Sequence, residues 1–216
     1  MHDLSTWDAQ LYERALKLLC QHCIVSFNST TNKFSLSTQN QSIWRGWITT
    51  PEQGQIWWMS FATGIEILSK SALLKHSCLS ISKKNSCSKN TSKFDPTIQA
   101  VYKNILSHTV TGTTNPYLNS TFVSQNIKYL YEIRTPTLGS LKTDFSKLVT
   151  AGIITSIDEQ TISDSLECLA DIRRNNDAHL SLNITVIGEI CNDITNIYIP
   201  LSDLLVDIYH REANVS

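Results

Sequence analysis

The sequence predicts an all-α fold, an antiparallel helical bundle in one domain over residues 1–216, and three observations predict it. Helix-start signals stand at Ser5, Thr50 and Asp95, each a capping residue followed by Pro or by an acidic or amide residue three positions on. After each signal, apolar residues recur at spacings of three and four. Nothing in the order of segments alternates strand with helix, and no internal repeat occurs. The 216 residues are 41% hydrophobic and 17% charged, enough for one ordinary core.

Ser5-Thr6-Trp7-Asp8 has capping-box spacing, and Trp7, Leu11, Ala15, Leu18 and Leu19 then predict a helix to about Val25. Residues 28–50 are polar and tolerant of β structure until Trp44 and Trp47, and read equally well as a small hairpin near the N-terminus or as an ordered loop. Thr50-Pro51-Glu52-Gln53 opens the next helix, which carries Ile56, Met59, Phe61, Ile65, Leu68, Ala72 and Leu73. It is apolar over more than half its circumference, which predicts a central place. Trp57 and Trp58 are read as core, and Gly64 as a point of close helix approach.

Residues 76–94, rich in Ser, Lys and Asn, read as a polar insertion loop carrying Lys83, Lys84, Lys89 and Lys93. Asp95-Pro96 opens a helix through Leu106. A second runs from about Phe122 to Arg134, where Pro136 forbids continuation. Leu138–Ala151 is helical with Gly152 as its C-cap. Asp158 opens a long helix through Ile162, Leu166 and Leu169 toward Ala178. Two short helices are expected to end the chain, the second from about Ser202 to Arg211, with a strand at Thr195–Ile199 as the alternative to the first.

A formal net charge of −1 excludes a globally basic nucleic-acid coat, so any contact with RNA or DNA must come from a local patch. The absence of a run of about 18 apolar residues speaks against a membrane span. The charged N-terminal stretch lacks the apolar segment of a signal peptide. A soluble protein of the reducing cytoplasm is expected, in which the Asn-x-Ser/Thr sequences, such as that at Asn28, are chance matches. Cys20-Gln21-His22-Cys23 is a single knuckle, and Cys78 and Cys87 have poor spacing to complete it, so no metal and no cofactor are expected. Gly-rich phosphate loops and the Gly-x-Ser-x-Gly and His-Glu-x-x-His motifs are absent.

The informative stretch is Ile172-Arg173-Arg174-Asn175-Asn176-Asp177-Ala178-His179. Five consecutive polar residues in a helix occupy every face, so some must point toward the bundle, where an unpartnered Arg costs several kcal/mol. An Arg and a His converging on one pocket suffice to cleave a phosphodiester. Imidazole moves a proton near neutral pH and guanidinium grips the phosphate. On an ideal helix Arg174 and His179 lie about 140° apart, so convergence calls for the helix to end or bend between them. The same residues also fit a plainer role, Arg174 bonding a carbonyl and His179 complementing the helix dipole.

Arg174-Asn175-x-x-x-His179, preceded by an apolar helix, resembles the signature of HEPN domains (higher eukaryotes and prokaryotes nucleotide-binding), an Arg and a His a few residues apart with Asn often following the Arg. Phe61–Leu74, with Glu66 and Lys70 among apolar residues, is similar to the family's early core helix. Thr137–Leu141 resembles the start of a middle helix. The resemblance spans about residues 55–210. It implies a helical bundle that forms a homodimer with two Arg/His motifs facing across a cleft. It further implies a metal-independent endoribonuclease acting on single-stranded RNA in a toxin or antiviral-defence setting, with an antitoxin or regulatory partner. His179 would be the general acid/base, Arg174 would stabilise the scissile phosphate, and Asn175, Arg173, Asn176, Glu66 and Lys70 would contact the substrate. Ser181 stands where the antitoxin-paired subgroup has Tyr, which counts against a Tyr-modifying antitoxin. The alternatives are a non-catalytic HEPN-like module binding nucleotide or RNA or mediating dimerisation, and a structural helical protein in which the polar run is a surface turn.

Overall fold

The computed structural model describes residues 7–22, 25–37, 51–76, 78–79, 82–83, 133–179 and 193–212, with 7, 51–55, 82–83, 133–134 and 172–179 described as backbone only. Trp44, Trp47, the expected helix from Asp95, the helix from Phe122 up to residue 132, and Lys84, Lys89 and Lys93 lie outside the described residues. What is described is mainly helical, with two small antiparallel strand pairs.

Helix α1 is Trp7–Cys20. It stops short of the expected Val25 because that residue opens strand β1, Val25–Asn28, which pairs with β2, Lys33–Leu36. Of the two readings of residues 28–50, the hairpin is the one that forms over the described part, up to residue 37. Its inward residues are Val25 and Phe34 and its outward ones Ser26 and Ser35, the period of two that a one-sided strand needs. The turn has a local cause. Asn28 Oδ1 accepts the amides of Thr30 at 2.9 Å and Thr31 at 3.2 Å, and Asn32 takes the left-handed backbone at φ 54° that Asn tolerates.

Helix α2, Pro51–Lys75, starts where Pro at the first helical position places it. Trp57, Trp58, Phe61, Ile65, Leu68, Ala72 and Leu73 are buried, so α2 is central as its wide apolar surface predicted. Ile56 and Met59 are instead exposed, because at 100° per residue they share the less deeply buried stripe of Thr63, Glu66 and Lys70. Helix α1 runs antiparallel along α2. Asp8 Oδ2 is 3.8 Å from Lys75 Nζ at one end, and Leu19 abuts Gly64 at the other. Asp8, expected to serve the first turn of α1, is buried and accepts the Tyr209 hydroxyl at 3.4 Å.

The expected loop at 76–94 begins inside the fold. His76, Cys78 and Leu79 are buried, and Ser82–Lys83 (β3) pairs antiparallel with Ile133–Arg134 (β4). Arg134 therefore ends in a strand, not in the helix expected to run through it. A single 3-10 turn, Leu138–Ser140, then leads into α3, Lys142–Thr150. Gly152 ends it at φ 70°, with Gly152 N–H bonded to Val149 O and Ile153 N–H to Leu148 O, both at 2.9 Å, which is the Schellman closure expected of a glycine after a helix.

Helix α4, Ser156–His179, begins two residues before the expected Asp158. Thr155 Oγ1 accepts the Asp158 amide and Asp158 Oδ2 accepts the Thr155 amide, each at 3.1 Å, a reciprocal capping box. The Thr155 amide, more than the nearby Arg211, holds the Asp158 carboxyl below its ordinary value. That contribution is complete above the ordinary carboxylate pKa and fades as pH falls below it. Thr155→Ala is expected to cost about 1 kcal/mol in a urea titration at neutral pH.

The chain's last described segment differs from expectation at its start. Ile194–Tyr198 forms a π turn, not a strand, and runs without a break into α5, Ile199–His210. Pro200 gives the reason: it has no N–H for the carbonyl four residues back and its ring crowds that carbonyl, so the helix widens beside it. The hairpin docks on α5. Phe34 N–H bonds Asp203 Oδ1 at 2.7 Å and Lys33 Nζ lies 2.9 Å from Asp207 Oδ2. The α2 end also grips α5. The His76 ring Nε2 is 2.7 Å from Ile208 O, which makes it the protonated, donating nitrogen. Burial pushes the His76 pKa down, with Lys75 and Arg211 acting the same way and the Ile208 bond opposing them. A depressed imidazole pKa means that the unfolded chain takes up its proton first as pH falls, so stability is lost from about pH 6.5 downward. His76→Gln, which keeps a donor, is expected to flatten the fall in melting temperature between pH 7.5 and 5.5.

Candidate functional site

The candidate site lies on the last turns of α4. The helix is amphipathic up to the polar run: Ile162, Leu166 and Leu169 are buried, while Thr161, Asp164, Glu167 and Asp171 are exposed. Arg173, Arg174, Asn175, Asn176 and His179 follow on unbroken helical backbone. Helix α4 therefore does not end between Arg174 and His179, and the two stay about 140° apart around the axis. Asn175 and Asn176, four and three residues before His179, share its stripe.

Glu66 and Lys70 sit on α2 and meet each other. Lys70 Nζ is 2.6 Å from Glu66 Oε1, and each side chain is only about one-sixth exposed, at 15% and 17%. This pair is one helical turn apart, and α2 packs against α4.

A second polar cluster joins α1, α2 and α5. The Tyr12 and Tyr209 rings stack at 4.2 Å, Tyr12 Oη is 3.2 Å from His210 Nε2, and Lys75 Nζ lies 5.5 Å above the Tyr209 ring. Burial pushes both phenols upward, and for Tyr209 the Asp8 carboxylate adds to it, so both stay neutral and Tyr209 donates to Asp8. Its members come from near both ends of the chain and from its middle, at Lys75, so no spacing pattern pointed to it. It is also remote from the polar run. Arg211 Nη1 is 3.5 Å from Asp158 Oδ2, near the start of α4, and about 24 Å of helix separate Asp158 from Arg174. This cluster fastens helices and is not part of the same site.

A third contact lies nearer the run. The buried Tyr198 hydroxyl donates to Cys168 Sγ at 3.4 Å, linking the π turn to α4. The sequence offered Tyr198 only as a residue of the alternative strand.

Among the described residues, no three His, Cys, Asp or Glu side chains are grouped so as to hold a metal ion. The antiparallel packing of α1 on α2 carries Cys20 to the Gly64 end and Cys78 past the opposite end, so these two cannot serve one site. Among the described residues no helix is long and apolar enough to cross a membrane. Comparison of the chain with protein-family models, with curated proteins and with solved structures finds no match.

Proposed function

We propose that the protein is a metal-independent endoribonuclease of the HEPN type, cleaving single-stranded RNA with Arg174 and His179 at a cleft between two copies, in toxin action or antiviral defence. The observation that carries the reading is the Arg174-Asn175-x-x-x-His179 run on the final turns of a long helix in a mainly helical chain. The unbroken helix favours the two-copy form. Positions about 140° apart on one helix lie on different faces, whereas a second helix across a cleft brings another Arg and His to the same phosphate.

The chemistry asked of these residues is small. His179 takes the proton from a ribose 2′-hydroxyl and the 2′-oxygen attacks the adjacent phosphorus. The bond to the 5′-oxygen breaks, and that oxygen leaves with a proton from an imidazolium. The products end in a 2′,3′-cyclic phosphate and a 5′-hydroxyl. Arg174 offsets the charge that gathers on the phosphate oxygens. Asn175 and Asn176, within a turn of His179 in the sequence, bond the ribose or a base edge in this reading. The resemblance also assigns Glu66 and Lys70 to substrate contact, and on α2 they are largely buried and paired with each other.

The test is purified protein with mixed-sequence RNA in EDTA, beside His179→Ala. Cleavage by the wild type alone, persisting in EDTA, supports the reading. Cleavage by both assigns the activity elsewhere. No cleavage by either leaves the non-catalytic RNA-binding module.

A further inference from the structure

We infer that Tyr198 is a positioning residue for α4: its buried hydroxyl, donated to Cys168 Sγ at 3.4 Å, sets the rotation of the helix segment that carries Arg174 and His179. The inference rests on the ribonuclease reading of that segment.

Three features support it. The Tyr198 ring cannot swing. It is fully buried, 5.5 Å from the Trp58 ring and 6.4 Å from Phe61, both on the central helix. Its backbone is held as well, in the π turn that Pro200 requires, which turns Ile194 and Tyr198 inward while Thr195 and Asn196 stay exposed. The hydroxyl is therefore a fixed point in the core. Burial keeps it protonated and donating across the working pH range.

Its partner is well placed to pass that position on. Cys168 precedes Leu169, the last buried apolar side chain described on α4, and lies six residues, about 9 Å of helix, before Arg174. Beyond Leu169 only Ala170, partly buried against the core, is described as packing before the helix backbone carries on into the polar run. Side-chain ends lie about 5–6 Å from a helix axis, so a rotation of about 10° moves them about 1 Å. A displacement of that size costs on the order of a hundredfold in rate.

The experiment combines amide hydrogen exchange with RNA cleavage on the full chain for Tyr198→Phe, Cys168→Ala, Cys168→Ser and the Tyr198→Phe/Cys168→Ala double variant. Tyr198→Phe is expected to speed exchange at residues 169–179 by about tenfold while α1 and α2 stay at wild-type rates. It should lower kcat by about tenfold or more with KM unchanged. Cys168→Ala should match it, the double variant should be no worse than either alone, and Cys168→Ser, which keeps an acceptor, should stay near wild type. Exchange at 169–179 unchanged in Tyr198→Phe, or raised equally in α1 and α2, overturns the inference. If exchange rises as expected but the wild type cleaves no RNA, Tyr198 still positions α4 and the ribonuclease reading is what fails.

Discussion

His179→Ala is expected to reduce RNA cleavage by about a hundred- to ten-thousandfold while changing the folding free energy by no more than about 1 kcal/mol. The rate loss follows from the chemistry: without a group that takes up and releases a proton near neutral pH, the 2′-hydroxyl is a poor nucleophile and the 5′-oxygen a poor leaving group. The small stability change follows from position. His179 is the last residue of α4, and an imidazolium's interaction with the helix dipole at such a position is worth about 1 kcal/mol or less. Initial rates with a fluorophore-labelled single strand, alongside a urea titration, separate the two. A variant that loses activity because it unfolds would point to a structural imidazole. A variant that keeps its activity would remove His179 from the chemistry altogether. Arg174→Ala should also impair cleavage, through lost charge stabilisation of the phosphate.

Gly64→Leu is expected to destabilise the fold by more than about 3 kcal/mol, or to prevent folding. A Cβ at Gly64 would lie 2.8 Å from Leu19 Cγ, 3.0 Å from Leu19 Cδ2 and 3.2 Å from the Leu19 backbone nitrogen. The Leu19 side chain is fully buried and has little room to turn aside, and the backbone nitrogen cannot move without shifting α1. Gly64→Ala meets the same three atoms but gains about 1 kcal/mol of helix propensity, so its net cost should be much smaller than that of Leu. Urea midpoints of the three proteins, with circular dichroism to confirm helix content, measure the series. Equal midpoints for wild type and Gly64→Leu would mean that α1 and α2 do not approach so closely at this point.

Much of the helical frame was legible in the residues because its causes are local. Pro51 could start a helix but not sit inside one, and α2 begins there. Gly152 marked the end of α3 because few other residues adopt a positive φ without strain. The wide apolar surface of α2 announced a central helix, and both tryptophans at 57 and 58 are in the core. The Thr155-Ser156-Ile157-Asp158 box was equally visible, and passing over its first residue displaced the start of α4 by two positions.

Expectations failed where a distant partner decides the structure. Val25 is compatible with continuing α1, yet it turns into a strand because Leu36 pairs with it and the hairpin docks through Asp203 and Asp207, some 170 residues on. Around Thr195–Ile199 it was the alternative strand that failed: the inward residues Ile194 and Tyr198 are held by the core, and the segment coils into α5 as the helical reading had it. Ile133–Arg134 left the expected helix to pair with Ser82–Lys83. In each case burial and long-range pairing outweigh a propensity worth a few tenths of a kcal/mol per residue.

The candidate site divides in the same way. The polar run holding Arg174 and His179 is a feature of the chain itself, and the family resemblance joined Asn175 to them. Only the tertiary structure decided that α4 stays helical through His179, that Glu66 and Lys70 are paired with each other, and that the Tyr12–Tyr209 cluster lies far from the run. It alone revealed Tyr198 beside Cys168, thirty residues apart along the chain. Caps, turns and amphipathic stripes are read within a few residues because the backbone's own hydrogen bonds and periodicity set them. Side chains brought together from distant helices depend on packing that no short stretch of sequence encodes.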